Sequence, residues 1–388
     1  MRKLGKIIGG LLALPSHIGR FFQKRYFYDA YKPTRIEAQF TGHFPAEHHI
    51  QAIPWISHER GYCQSTTLQM IARHHNIEKP RDYFAFLIGY TFGGIYGLSR
   101  DGFFFPFSDP EPGFVVAAPV LGLERKYLIT NDEELLLNTI RYYLAQDIPV
   151  RIAWDAAIPP REGIERGYPI PVEEGWLDHR ADFLPHSVLF VGYDEVGFYY
   201  FETGVEDKLV GGEIGTKVAD QTVLEAIRSL SSTFGLPWMY MLIIFVEGER
   251  VEGLSPIWRR NGKALVGFKF GPMAWGSFGI RRFAKSIERK GVDLTPEKIE
   301  ELKVVLEPFS YTRLDNALFL KRHFAGDPEI EKAASLLTTA GGYYEEILEI
   351  VTEEGIISEN VERMVSLLRK GASLEREAGK VFVTMSER

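Results

Sequence analysis

The chain has only one cysteine, Cys63, among its 388 residues. No disulfide can therefore form within the chain. One cysteine in so long a chain is typical of a reducing compartment, so we expect a cytoplasmic protein. Glutamine and asparagine are also scarce, at seven and six residues, beside frequent glutamate and lysine. That balance fits a thermophilic source.

The chain also lacks an excess of positive charge. Its formal net charge is −7 at pH 7 and its pI is near 5.9. Because phosphate binding needs a basic surface, this balance argues against nucleic acid as the main partner. With 45% hydrophobic and 25% charged residues, we expect a soluble globular protein with a substantial core and two domains.

The N-terminal region lacks a hydrophobic run long enough to span a bilayer, because its apolar stretch covers only residues 7–14. No acidic residue precedes Asp29. Basic residues flank the apolar stretch on both sides: Arg2, Lys3, Lys6, Arg20, Lys24 and Arg25. Residues 1–43 are therefore predicted to form a basic amphipathic segment that covers a domain or joins an oligomer. The alternatives are a peripheral membrane contact and a signal-peptide core.

The hydrophobic spacing mixes helices and strands up to about residue 251 and becomes helical from about residue 262. Helical spacing follows Cys63 and recurs near residues 132–146 and 221–230, while β-rich runs occupy residues 150–154 and 239–246. Further amphipathic runs occupy residues 273–290, 296–306, 312–324, 328–352 and 360–370, with breaks at Gly291, Pro308, Gly326 and Gly355. This pattern predicts an α+β domain followed by a mainly α-helical one.

Cys63 itself stands where a helix is predicted to begin. Gly61 and Tyr62 form a turn before it, and the residues after it have the apolar spacing of a helix. Unpaired N–H groups and the dipole at a helix start favour an anion, and in this way a thiol becomes a thiolate nucleophile. Cys63 is therefore a candidate nucleophile. The alternative is a small buried hydrophobic residue.

A predicted hairpin supplies a base and an acid. β-rich runs at residues 187–191 and 197–201 flank a turn with the sequence Gly-Tyr-Asp-Glu-Val-Gly. His186 enters the first strand and Glu202 leaves the second, so an imidazole and a carboxylate are present in the roles that a catalytic thiol needs. Asp194 competes as the acid, but Gly-Tyr-Asp is also a normal hairpin tip, so Glu202 is preferred. The alternative for His186 is a hydrogen-bonded polar residue without a catalytic role.

These residues resemble papain-like cysteine enzymes of the bacteriocin-processing-peptidase type, and more closely the butirosin biosynthesis protein H-like family. The resemblance rests on the helix start at Cys63, on residues 149–155, and on His186 with the Val-Gly-Tyr-Asp that follows it. It extends to residues 312–320, which look like that family's helical accessory domain. It implies a papain-like domain over residues 44–255, with a helix packed on an antiparallel sheet, and a helical accessory domain over residues 256–388.

The chain departs from the superfamily pattern in two places. A glutamine usually lies a few residues before the cysteine and completes the oxyanion hole, whereas here Ser57, His58 and Glu59 occupy that stretch. His58 and Gln64 are the oxyanion or cleft candidates. Glu202 stands where aspartate or asparagine is commoner.

Asp155 and Asp194 are further cleft candidates. Asp155 stands at the end of a predicted strand, and a strand-end cap is the alternative for it.

The resemblance implies an enzyme that forms a thioester on Cys63, with His186 as base and then acid and Glu202 as the orienting group. Butirosin-like relatives transfer an acyl chain from a carrier protein to an amine. The implied partners are therefore an acyl carrier protein or other thioester donor and a small amine, and no cofactor is implied. Amide hydrolysis and peptide cleavage are the alternatives, and a non-catalytic binding protein is another class.

Neither a metal site nor a phosphate loop is predicted. Residues 92–97 are glycine-rich, but they lack the Lys-Ser/Thr pair and the strand-before-helix context of a phosphate loop. The spacing of a zinc motif such as HExxH is also absent from the nearest group of histidines and acid: His43, Glu47, His48, His49 and His58.

Overall fold

The computed structural model describes residues 24–37, 44–51, 53–57, 61–97, 104–159, 183–203, 214–270, 273–290, 296–354 and 358–388. The chain divides into two compact units. Unit 1 lies within Met1–Glu59 and Glu124–Glu247, and unit 2 within Arg60–Leu123 and Gly248–Arg388. The boundaries of these units differ from those of the predicted domains. Residues 60–123, which contain Cys63, group with the C-terminal helices.

The described residues are mainly helical, with a smaller share of strand. The strands are β1 (Thr34–Arg35), β2 (His48–His49), β3 (Ile95–Tyr96), β4 (Phe104–Phe105), β5 (Leu123–Thr130), β6 (Val150–Asp155), β7 (Pro185–Tyr193), β8 (Gly197–Phe201), β9 (Thr216–Ala219), β10 (Tyr240–Glu247), β11 (Lys269–Phe270) and β12 (Met273–Trp275). The helices are α1 (Cys63–His74), α2 (Arg81–Ile88), α3 (Glu111–Val120), α4 (Glu133–Leu144), α5 (Asp220–Phe234), α6 (Ser255–Val266), α7 (Gly276–Lys290), α8 (Pro296–His323), α9 (Pro328–Glu349) and α10 (Ser358–Met385). Residues 24–31 are also helical, and a π-helical turn, Ile350–Glu354, follows α9.

Unit 1 is built on a mixed sheet with the strand order β1-β5-β10-β6-β7-β8-β9, and β2 pairs with β7 beside this path. The β1–β5 pair is parallel, while β6 pairs antiparallel with β10 and β7. The β7–β8 hairpin is antiparallel, as predicted from residues 187–201, and a register shift lies between Phe190 and Gly192. Helices α4 and α5 pack on this sheet. Opposite His186 in the β6–β7 register lies Trp154.

Unit 2 combines a small antiparallel sheet, in the order β11-β12-β3-β4, with most of the helices. Helix α9 packs against both α8 and α10, and α10 also packs against α6 and α7. The shared core is apolar: Phe104, Ile280, Phe283, Leu306, Phe309, Ile347, Met364 and Leu368 are among its buried members. The predicted helical C-terminal region is therefore confirmed. Of the described helices, none is long and apolar enough to cross a membrane.

One predicted break in this region is wrong. Pro308 lies inside α8, which continues from Pro296 to His323. A proline inside a helix removes one backbone hydrogen bond and costs about 3 kcal/mol. The neighbouring Leu306 and Phe309 are fully buried, and Phe309 stacks on Tyr344 with ring centroids 3.9 Å apart. Burial of these large side chains outweighs the local penalty.

A buried ion pair joins α8 to α10. Arg313 Nε donates to Glu375 Oε1 at 2.8 Å, and neither side chain is exposed to solvent. Tyr344 also donates its phenol to Glu375 Oε1 at 3.0 Å. The carbonyl oxygens of Gly93 and Pro106 accept further hydrogen bonds from Arg313. The guanidinium and the carboxylate therefore both have several hydrogen-bond partners, which a buried ion pair needs to offset its loss of contact with water.

We expect the Glu375→Leu substitution to lower the free energy of unfolding by about 3–5 kcal/mol, because it leaves the Arg313 guanidinium buried without a carboxylate. The control is Glu346→Ala, which breaks an ion pair with Arg363 whose side chains are 35% and 50% exposed. That loss is expected to stay below about 1 kcal/mol. Denaturant unfolding of both variants measures the contrast, and equal small losses would contradict the buried pair.

Candidate functional site

The predicted site residues lie in different units. His186, Glu202, Asp155 and Asp194 belong to unit 1, whereas Cys63 and Gln64 belong to unit 2. His58 lies outside the described residues.

Within unit 1, the side chains of His186 and Glu202 form a hydrogen-bonded pair. His186 stands near the start of β7, and Glu202 directly follows β8. The two side chains are only 8% and 13% exposed, and Nε2 of His186 donates to Oε1 of Glu202. Because an ionised carboxylate can only accept, this contact places a proton on Nε2. The carboxylate therefore fixes both the orientation and the protonation site of the imidazole, which is the task of an orienting acid.

Glu202 is itself held by its neighbours. The Thr203 N–H donates to Glu202 Oε1 at 2.7 Å. Trp55 donates its indole N–H to the backbone carbonyl of Glu202 at 2.8 Å, and the Thr203 hydroxyl reaches the Ser187 carbonyl at 3.4 Å. The first residue after the hairpin is thus tied to the strand that carries His186.

Large aromatic side chains surround this part of the sheet. Trp154 is fully buried, and its ring meets those of Phe190 and Tyr200 edge to face, with centroids 5.8 Å and 4.8 Å apart. Such surroundings have a low effective dielectric, so the attraction between His186 and Glu202 is stronger than in water.

The carboxylate of Asp155 accepts hydrogen bonds from backbone N–H groups just after β6 and just before β7. Its Oδ1 accepts the N–H groups of Ala157 at 3.0 Å and Leu184 at 2.9 Å, and its Oδ2 accepts the Ser229 hydroxyl at 2.6 Å. Asp155 is also 1% exposed. These bonds describe a strand-end cap that fixes the chain just before His186.

Asp194 occupies the tip of the β7–β8 hairpin and has partners of its own there. Its Oδ1 accepts hydrogen bonds from the N–H groups of Val196 and Gly197. Its Oδ2 accepts a hydrogen bond from the Tyr199 phenol at 2.9 Å and forms an ion pair with Lys217. Partial burial alone would raise the pKa of Asp194, but the hydrogen bonds from Lys217, the two amides and Tyr199 lower that pKa to about 2. Glu202, and not Asp194, contacts His186.

Within unit 2, Cys63 is the first residue of α1 and is 8% exposed. Gly61 adopts the left-handed conformation, with φ of 62°, which glycine tolerates without strain. The Tyr62 carbonyl accepts the Thr66 N–H at 2.9 Å and the Ser65 hydroxyl at 3.0 Å, which closes the first turn. No acidic residue lies in that turn of α1, so its positive dipole end is not neutralised there.

Two tyrosines border this turn. The Tyr90 phenol donates to the Gly61 carbonyl at 2.7 Å, and the Tyr62 phenol donates to Asp315 at 2.5 Å. Burial raises the pKa of Tyr90 well above its usual value, and the neighbouring Cys63 raises it further. Burial and Asp315 raise the pKa of Tyr62 in the same direction. Both phenols therefore remain proton donors at neutral pH.

The sequence reasoning missed several of these partners. Trp55, Tyr90 and Asp315 were not singled out, and Asp315 lies 253 positions from Tyr62. The one local signal for Asp315 is the polar stretch within residues 312–316, which the resemblance assigns to an accessory domain. Gln64, by contrast, lies next to Cys63 in α1 and is half-buried.

The histidines considered as metal ligands bind protein groups. His48 Nε2 contacts Asp147 at 2.9 Å, and His49 Nε2 contacts the Ile214 carbonyl at 2.7 Å. Among the residues that the structure describes, no group of three or more His, Cys, Asp or Glu side chains could hold a metal ion. His43 and His58 lie outside those residues.

Each unit therefore carries candidate groups with a distinct chemistry. Unit 1 offers an oriented imidazole, which can accept and return a proton, and unit 2 offers a thiol at a helix start. No protein-family model matches this chain, and a search of curated proteins returns no match either. The likeness to the butirosin biosynthesis protein H-like family accordingly stays a prediction that rests on the motifs.

The lowered pKa of Asp194 allows a test of how much its charge stabilises the β7–β8 hairpin. Since this pKa falls from its ordinary 3.8 to about 2, the charged form stabilises the fold above about pH 4 and loses that effect as the pH falls towards 2. We expect Asp194→Asn to lower the free energy of unfolding by about 1–2 kcal/mol at pH 7, a range reduced because Lys217 is 44% exposed. The difference from wild type should shrink near pH 2.

Unfolding curves at both pH values provide the measurement. Glu195→Gln, the adjacent exposed position of the same turn, is the matched control and should change stability by less than about 0.5 kcal/mol. A loss in Asp194→Asn that is the same at pH 7 and pH 2 would contradict the electrostatic account.

Proposed function

We propose that this protein is a cysteine-dependent acyl-transfer enzyme, with Cys63 as nucleophile, His186 as base and then acid, and Glu202 as the orienting acid. The observation that carries the proposal is the buried His186–Glu202 pair, which begins and ends a hairpin. The supporting observation is that the single cysteine of the chain opens a helix. A thiol, an oriented imidazole and a carboxylate are the groups that covalent thiol catalysis needs.

The first half of the reaction would form a thioester. The Cys63 thiol gives its proton to His186 while Sγ attacks the carbonyl carbon of the substrate, so a C–S bond forms and negative charge develops on the carbonyl oxygen. Because Nε2 of His186 faces Glu202, the proposed proton transfers use Nδ1. The protonated imidazole then gives the proton to the leaving thiol or amine as its bond to the carbonyl carbon breaks.

The second half would release the acyl group. An amine or a water molecule attacks the thioester carbon and gives a proton to His186, and Cys63 leaves as a thiolate that recovers its proton. The charged oxygen in both halves needs hydrogen-bond donors. The Cys63 N–H, at a helix position that has no acceptor within the helix, is the proposed first donor, and His58 and Gln64 are the side-chain candidates for the second.

We also propose a papain-like fold for the part of the chain that carries these residues. That fold needs a helix that begins with the nucleophile and an antiparallel sheet that carries the base. Helix α1 begins with Cys63, and strand β7, which pairs antiparallel with β6 and β8, carries His186. The single cysteine supports a reducing compartment, such as the cytoplasm, as the place of the reaction.

Acyl transfer is preferred to hydrolysis because of the resemblance to the butirosin-like family and its helical C-terminal region. The donor would be an acyl carrier protein or another thioester, and the acceptor a small amine. A peptidase of the bacteriocin-processing type uses the same intermediate and is the runner-up. A non-catalytic binding protein is the second candidate, and the low exposure of Cys63, 8%, favours it.

The proposal is tested by the rate at which iodoacetamide alkylates Cys63, the sole cysteine. At about pH 6.5 we expect this rate to exceed that of an ordinary thiol about 10-fold or more, because His186 takes the proton. His186→Ala should lower the rate by the same factor, to that of an ordinary thiol. Glu202→Gln should lower it less, since the amide still accepts a hydrogen bond but carries no charge.

The matched control is His48→Ala, which removes another histidine of unit 1 that faces a carboxylate, at 2.9 Å. This variant should react at the wild-type rate. Slow alkylation of the wild type that is the same in His186→Ala would remove the support for an enzyme and leave the binding protein.

A further inference from the structure

Three polar residues of α8 bind the part of unit 2 around Cys63. Arg313, Asp315 and Asn316 each form a hydrogen bond with a residue in the range 62–93. These bonds join positions that are 220 to 253 residues apart in the sequence. Helix α8 is thus a support for the segment that contains the proposed nucleophile.

The contact nearest to Cys63 is made by Asp315. Its Oδ2 accepts the Tyr62 phenol at 2.5 Å. Tyr62 is 5% exposed and immediately precedes Cys63 in the chain. Hydrogen bonds to a charged acceptor are about twice as strong as neutral ones, so this bond is a firm anchor.

The ring of Tyr62 is enclosed by other side chains of unit 2. The guanidinium of Arg81 lies 4.5 Å from the ring centroid. The ring of Tyr90 lies almost perpendicular at 6.5 Å, and that of Tyr311 lies at 6.0 Å. With its phenol bound to Asp315, Tyr62 therefore has one orientation available.

That orientation is transmitted to Cys63 through the backbone. The Tyr62 carbonyl accepts both the Thr66 N–H and the Ser65 hydroxyl, so the anchored residue also closes the first turn of α1. A rotation of Tyr62 would move this turn, and with it the side chain of Cys63. Small displacements of a nucleophile are costly, because catalysis needs its geometry held within about 0.5 Å.

The position of Asp315 is in turn fixed by its neighbours in α8. Asn316 donates to the Thr91 carbonyl and accepts the Thr91 hydroxyl, at 3.1 Å and 2.8 Å. Arg313 is held by Glu375 and also binds the Gly93 carbonyl. The carboxylate that anchors Tyr62 therefore stands on a helix that is bonded on both sides of it.

We propose that Asp315 and Tyr62 are positioning residues for Cys63, and that α8 holds the nucleophile turn through their hydrogen bond. This inference rests on the proposed function, since it assigns a role with respect to the proposed nucleophile. It gives the C-terminal helices a part in catalysis that involves no contact with substrate.

The test compares variants by the rate of Cys63 alkylation at about pH 6.5. Tyr62→Phe and Asp315→Ala are each expected to lower the rate about 5- to 10-fold, because the thiol then samples unproductive orientations. Asp315→Asn should lower the rate less than Asp315→Ala, since its amide oxygen still accepts the phenol, although in a weaker neutral hydrogen bond. The double variant Tyr62→Phe/Asp315→Ala should fall no further than the single ones, because all three remove the same bond.

The control for general destabilisation is Asp327→Ala. Asp327 caps α9 in the same unit, accepting the Glu329 N–H at 2.9 Å and the Ile330 N–H at 3.3 Å, and does not contact Tyr62. This variant should unfold at a lower temperature but alkylate at the wild-type rate. Equal rate losses in Asp327→Ala and Asp315→Ala would overturn the positioning role.

A Tyr62→Phe rate equal to or above that of the wild type would also overturn it, because loosening the turn would then merely expose the thiol. The two failures are distinguishable. If only the positioning role fails, His186→Ala still slows alkylation while the Tyr62 and Asp315 variants do not. If the proposed function fails, wild type and His186→Ala react alike.

Discussion

Burial of a carboxylate beside an imidazole is the constraint on which the arrangement of unit 1 depends. Removing the charge of Glu202 from water costs free energy, and only fixed partners offset that cost. His186 and the Thr203 N–H supply those partners, and Trp55 fixes the adjacent backbone. They meet only in the observed hairpin register, because a slip by one residue would turn His186 to the opposite face of the sheet. The sheet and the His186–Glu202 hydrogen bond therefore specify each other.

Unit 2 depends on the same principle, applied to helices. The Arg313–Glu375 pair and the Tyr62–Asp315 bond link helix α8 to α10 and to the turn before Cys63. Buried polar groups of this kind are costly unless all their partners are in place, so they fix how the surrounding helices pack. The C-terminal helices are thus bonded to the segment that carries Cys63.

The sequence predicted the β7–β8 hairpin from β-rich runs around a turn and the helix at Cys63 from its apolar spacing, because both signals lie within a short window. The continuity of α8 through Pro308 was not predictable, since it depends on the burial of Phe309 against Tyr344. The Tyr62–Asp315 bond spans 253 positions, and no local pattern encodes such a contact. The grouping of residues 60–123 with the C-terminal helices was missed for the same reason.

The proposed reaction predicts a covalent acyl group on one atom, Cys63 Sγ, and intact-mass spectrometry after incubation with a short acyl thioester detects it most directly. The account predicts one acyl adduct, mapped to Cys63, absent from Cys63→Ala, greatly diminished in His186→Ala, and discharged when a small amine is added. Acylation of wild type and Cys63→Ala to the same extent, or no adduct in the wild type, would contradict it.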